Sequence, residues 1–190
     1  MRESTKRRFQ SPTDWAEWLD RNHAKSPGIW LRLAKKGSGL ASVAYKEALD
    51  VALCYGWIDG QKKPENDKTW LQRFVPRSAK SVWSKINREK AEALIERGQM
   101  KPAGLAAIEN AKKNGRWDAA YDSQSKATVP PDFADALDLS PRAKAFFATL
   151  ESGNRYAILW RIQTVKRSET RVRKIREFIA MLERNQKLHP

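Results

Sequence analysis

Hydrophobic positions along the chain recur with two periods, and the change from one period to the other marks the elements. Over residues 13–24, Trp15, Trp18 and Leu19 return at helical spacing. Ser11 or Thr13 stands where a cap is needed, and Asp14 and Glu17 lie in the electropositive first turn. Pro27 and Gly28 break this helix, and residues 29–34 then alternate, with Ile29, Leu31 and Leu33 against Trp30, Arg32 and Ala34. That is a strand pattern, closed by Gly37 and Gly39. Helical spacing returns over residues 43–55, and Gly56 is the expected terminating glycine.

Two further strands follow, in "WIDGQKK" and "TWLQRFV", joined by the turn-rich residues 64–68. A symmetric loop there sets Asp59 opposite Arg73 and Trp57 opposite Val75, so Asp59 and Arg73 are expected to form a structural ion pair. Beyond residue 87, with Asn87 placed as an N-cap, a helix ends at Gly98. The next spans residues 103–114 with Leu105 and Ile108 inward. A polar stretch with Pro130 and Pro131 reads as a joint. The rest is helical: residues 133–137, residues 142–150, and a long segment over residues 154–184 with Ile162, Val165, Val172, Ile175, Ile179 and Leu182 in one stripe. The expected fold class is α+β, a small antiparallel sheet of about three strands packed with helices, followed by a helical C-terminal part. The expected organisation is an N-terminal domain over residues 1–122, a linker over 123–130 and a C-terminal domain over 131–190.

Composition alters this picture mainly through charge. The formal net charge is +15 and the isoelectric point is near 10.1, a field that attracts polyanions. The single Cys54 excludes an internal disulfide framework, and with two histidines it gives no zinc-ligand spacing. The N-terminus lacks the apolar core of a secretory signal, and no run reaches the ~20 apolar residues of a membrane span. A cytoplasmic location is expected.

Several words, in order, carry a resemblance: "ALCYGWIDGQ", "LQRFVPR", "SVWSKIN", "GRWDAAYD" and "KRSETRVRKIREFIAML". With them the chain resembles the YdeI/OmpD-associated proteins, also called bacteriocin-protection proteins. "VKRSETRVRKI" matches a family pattern AK-x-x-E-T-R-x-R-R-I, except that Val165 replaces Ala and Lys174 replaces Arg. The resemblance implies a short C-terminal helical domain and a protective role. It prescribes no reaction, no cofactor and no catalytic residues.

The candidate chemistry is therefore read from the residues. "KKGSGLAS" is neither a dinucleotide fingerprint nor a P-loop. Cys54, inward on an apolar helix, reads as a small hydrophobe, and no nucleophile elbow is present. Arg73, Arg77, Ser81, Ser84, Lys85 and Asn87 bring cations and donors to a helix start, with Trp57 and Trp83 as apolar walls, and suit an anionic small molecule or protein partner. Arg167, Arg171 and Lys174, with Arg173 beside them, form a basic helical stripe that suits nucleic acid as the alternative. A third reading is an enzyme using Asp59 or Asp118, each beside a Trp, as a desolvated proton-transfer group. No metal or cofactor is expected, and the leading function is non-enzymatic binding.

Overall fold

The computed structural model describes residues 5–190, which divide into two compact units. The first comprises residues up to Ser81 and Asn87–Asp118. The second comprises Val82–Ile86 and Ala119–Pro190.

The first unit is a four-stranded sheet with helices. A short strand β1 (Lys6–Arg7) precedes helix α1 (Pro12–Asn22), strand β2 (Ile29–Ala34), helix α2 (Tyr45–Cys54), strand β3 (Trp57–Pro64) and strand β4 (Thr69–Pro76). Helix α3 (Lys85–Glu96), from Asn87 onward, and helix α4 (Pro102–Lys113) follow. The sheet order is β1-β2-β4-β3. The three long strands are antiparallel, as their alternating pattern anticipates, and β1 adds a short parallel pairing that makes the sheet mixed. The chain is α+β, with a helical C-terminal part.

α1 begins with a reciprocal cap: the Asp14 amide donates to the Ser11 hydroxyl, and the Ser11 amide donates to the Asp14 carboxylate. Its apolar face carries Trp15 and Trp18, stacked at 5.3 Å, against Trp57 and Phe74 of the sheet. The indole N–H of Trp15 donates to the Ala48 carbonyl at 3.0 Å and that of Trp57 to the His23 carbonyl at 3.2 Å, so both large rings are buried with their polar atoms satisfied. Gly104 lets α4 lie directly on the end of α2, since a Cβ there would stand 2.3 Å from the Cys54 carbonyl oxygen.

The β3–β4 pairing departs from the symmetric register. Asp59 faces Phe74, Lys62 faces Gln72, and Trp57 faces Pro76. Gly60 and Gln61 therefore stand against Arg73 alone, which is a β-bulge. The side chain of Gln72, only 4% exposed, donates to the Gly60 carbonyl at 2.9 Å and the Gln61 carbonyl at 3.3 Å, so the backbone groups that the bulge frees are satisfied internally. The expected Asp59–Arg73 pair is not formed: the turn falls one residue later than the symmetric loop, with Pro64 opposite Trp70, and the bulge then sets Asp59 toward Tyr45, whose hydroxyl donates to it at 2.7 Å. Arg73 stands instead opposite Trp30.

The second unit is helical: α5 (Pro131–Asp138), α6 (Pro141–Thr149), α7 (Ser152–Gln163) and α8 (Ser168–Glu183). The expected long C-terminal helix is two, broken at residues 164–167. Phe133, Leu137, Phe147, Ile158, Ile162, Ile175, Phe178 and Leu182 make its core. Val172, placed in the stripe from sequence, is exposed, as is Leu105 of α4. Arg171 joins three helices. Its Nε and Nη2 donate to the Asp132 carboxylate at 2.6 and 2.8 Å, and its Nη1 donates to the Ile162 carbonyl at the end of α7 at 2.7 Å. A guanidinium fork suits this task because it carries several fixed donors.

Two stability predictions follow from these polar contacts. Gln72→Leu leaves the bulge carbonyls without their donor and should cost about 1–3 kcal/mol in urea unfolding; a loss within error of zero would mean that the amide does not hold the bulge. Arg171 keeps the Asp132 carboxyl below the usual carboxylate range, chiefly through their hydrogen bonds. A carboxyl depressed in the folded state contributes stability above its unfolded pKa of about 4, and that contribution is lost as pH falls through the folded value. Arg171→Gln should therefore cost about 1–2 kcal/mol at neutral pH, discounted for partial exposure. The gap from wild type should narrow in acid, read as amide-exchange protection of α5; a gap that is constant with pH would contradict the assignment.

Candidate functional site

The cationic residues singled out from sequence prove to be mostly occupied by the protein itself. Of the helix-start group, Trp57, Arg73, Arg77, Ser81 and Asn87 fall in the first unit and Trp83, Ser84 and Lys85 in the second. Trp57 and Trp83 are 1% and 2% exposed, so neither presents a ring face to a ligand. α3 begins at Lys85, which places Asn87 inside its first turn and not at the cap. The Ser81 hydroxyl accepts from the Ser78 amide at 3.0 Å, and Arg77, Ser84 and Asn87 are each engaged. Lys85 pairs with Asp122 at 2.7 Å and lowers the pKa of that carboxyl. Arg73 lies with its guanidinium carbon 5.8 Å from the Trp30 ring centroid. Its buried Nη1 has no acceptor among the described residues, and burial lowers its pKa.

The C-terminal stripe is dispersed in the same way. Arg171 is consumed by Asp132 and Ile162, Lys174 pairs with Glu177 at 2.8 Å, and Arg173 lies 3.7 Å from the same carboxylate. Arg167 stands at the N-cap position of α8, in extended backbone. Of the aspartates, Asp118 is exposed and Asp59 holds Tyr45. Cys54 is 7% exposed, and burial raises its thiol pKa, which suits packing and not nucleophilic attack. Among the described residues, no group of three or more His, Cys, Asp or Glu side chains is arranged to hold a metal. No described helix is long and apolar enough to cross a membrane.

A cluster of lysines with no carboxylate on its wall lies elsewhere, at one end of the sheet. β2 and β3 both run antiparallel to β4, so their C-terminal ends lie together where β4 begins. Each of those ends carries a lysine doublet: Lys35 and Lys36 after β2, and Lys62 and Lys63 in β3. Two strand spacings, about 10 Å, separate the two ends. Between them β4 begins with Thr69 and Trp70. The Lys35 amide donates to the Lys68 carbonyl at 2.8 Å and closes the sheet at this point.

Ala34, Lys35, Lys36, Lys62, Pro64 and Trp70 line a cleft of about 570 Å³ there. No carboxylate lines it, and Lys35, Lys36 and Lys62 form no ion pair among the described residues. The Lys62 ammonium sits 4.7 Å from the Trp70 ring centroid, an exposed cation–π contact worth about 0.5–1 kcal/mol. Tyr45 packs against Trp70 at 5.9 Å. Because successive strand residues point to opposite faces, Lys63 projects the other way, 4.8 Å from Trp30.

Two other clefts in this unit are less suited to an anion. One, of about 550 Å³, is lined by Arg8, Arg32 and Lys68, but Asp67 also lines it and Arg32 is bound at two points, both 2.7 Å, to Glu65. The other, of about 380 Å³, mixes Arg97 and Lys101 with Glu47 and Asp50 over Cys54. Sequence reasoning missed the lysine-lined end, although its signal was present: a lysine doublet at the end of two strands that pair with the same third strand.

Residues 7–107 match a family model described as a domain of unknown function (DUF8412). Residues 126–185 match one described as bacteriocin-protection, YdeI or OmpD-associated, the stretch that holds the "KRSETRVRKI" word. Comparison with curated proteins and with solved structures finds no match. The chain thus belongs to the DUF8412 family, whose model covers more than half of it, and carries a C-terminal domain of the bacteriocin-protection, YdeI or OmpD-associated family.

Proposed function

We propose that this protein is a non-enzymatic cytoplasmic binding protein that recognises an anionic ligand at the lysine-lined end of its sheet. A protective role of the kind the C-terminal family's description names is the cellular setting we propose for it. The observation that carries the reading is the cleft over Trp70, where three lysines stand without a carboxylate on the wall and without an ion pair among the described residues. Like charges brought together at a strand end cost folding free energy through their mutual repulsion. An anion removes that cost, which makes the cluster a source of binding free energy. The earlier candidates do not offer this. Lys85, Arg171 and Lys174 already have carboxylates, so an incoming anion would have to displace them.

The reading is tested by titrating the protein with inorganic polyphosphate at several salt concentrations. Binding should weaken steeply as salt rises, by counterion release. The triple variant Lys35→Gln, Lys36→Gln, Lys62→Gln changes only exposed side chains, and it should lose at least about tenfold in affinity at low salt with a shallower salt slope. Arg167→Gln with Arg173→Gln should bind as wild type does. An unaltered triple variant, or a wild type that binds no polyanion at low salt, would overturn the assignment.

A further inference from the structure

The same cleft contains one group that a simple phosphate site does not need. Trp70 forms part of its wall, half-buried and with a face turned toward the lysines, since the Lys62 ammonium lies over that ring. We infer that Trp70 is a stacking platform for a nucleobase, and that Lys35, Lys36 and Lys62 hold the phosphate joined to it. The inference rests on the anion-binding reading and names the ligand's class: a nucleobase bearing phosphate, supplied as a free nucleotide or as single-stranded nucleic acid.

Three observations lead there. Every nucleobase has a π face, and stacking on an aromatic side chain is worth roughly 5- to 150-fold in affinity. The ammonium–ring contact that a base would replace is worth roughly 2- to 5-fold. Exchange therefore favours the base, and it frees the Lys62 ammonium for the phosphate beside it. The platform is also braced by a neighbouring ring. Tyr45 packs on Trp70, and the Tyr45 hydroxyl is fixed by the Asp59 carboxylate at 2.7 Å, so the indole is held before any ligand arrives. Asp59 is then a positioning residue, acting on Trp70 through Tyr45. Finally, the cleft's volume of about 570 Å³ lies within the range of small-molecule sites. A duplex offers no base face along its length, because its bases are stacked on one another.

The test compares ligands of matched charge on the intact protein. Fluorescence anisotropy would follow a labelled eight-residue oligouridylate in competition with unlabelled oligomer, the same phosphodiester lacking bases, inorganic polyphosphate, AMP and a duplex. The base-bearing oligomer should compete at least five-fold better than the abasic one. Trp70→Ala should remove that advantage while leaving polyphosphate binding within two-fold, and Trp70→Phe should retain most of it. AMP competing as well as the oligomer identifies a free nucleotide as the source; competition by the oligomer alone identifies a single strand.

Equal binding of oligomer, abasic strand and polyphosphate would overturn the nucleobase inference and leave the anion site standing. Absence of binding by all of them would remove both. Trp70→Ala and Trp70→Phe losing polyphosphate and oligomer alike would show the indole to be structural, and would also overturn the inference.

Discussion

The β-bulge in β3, held closed by the buried amide of Gln72, decides where the charges of the first unit go. Two residues of β3, Gly60 and Gln61, stand against Arg73 alone, and Gln72 supplies the donor that their carbonyls lose. Without that extra residue, alternation along the strand would reverse on one side of the bulge. With it, Asp59 reaches Tyr45, Arg73 is left to pack on Trp30, and Lys62 and Lys63 fall to opposite faces over Trp70 and Trp30. The proposed site uses two of these contacts, Asp59 with Tyr45 and Lys62 with Trp70. A buried polar group fully satisfied in this way costs little and specifies a register closely.

Both units pair part of their positive charge internally. In the second, Arg171 is bonded to Asp132 and to the end of α7, Lys174 and Arg173 share Glu177, and Lys85 holds Asp122. These cations are part of the helical framework. In the first, Arg32 is likewise bonded, to Glu65, but the lysine doublets at the strand ends form no ion pair among the described residues. A net charge of +15 says only that unpaired cations exist. Their location follows from which carboxylates the fold brings within reach.

The ending of α2 shows how closely the first unit is fitted. Gly56 takes a φ of +71°, and a Cβ there would stand 2.7 Å from the Ala103 carbonyl oxygen. The "ALCYGWIDG" stretch is therefore mostly a packing signature: a helix stop, a buried Trp57, and a carboxylate at Asp59 that orients Tyr45.

Much of the secondary structure was legible in the sequence because it follows from local periodicity. β2 spans residues 29–34 as its alternation predicts, α2 ends just before Gly56, α1 ends at Asn22, short of the Pro27-Gly28 break, and the helices α5 and α6 follow their apolar spacing. The sequence also carried the lysine doublets and the "SETR" word. Its register prediction failed at Asp59 because the turn falls one residue later than the symmetric loop and a bulge held by Gln72 then shifts the pairing again, which no local pattern encodes. The placing of Asn87 as a cap failed because α3 begins earlier, at Lys85, and that of Arg171 on an open stripe failed through its partners. Whether a polar side chain is free or occupied depends on partners far along the chain, as Asp132 is from Arg171. What the sequence determined by itself was therefore the elements and the sign of the charge. Tertiary structure alone decided which cations are neutralised and which converge, because pairing is a matter of distance in space.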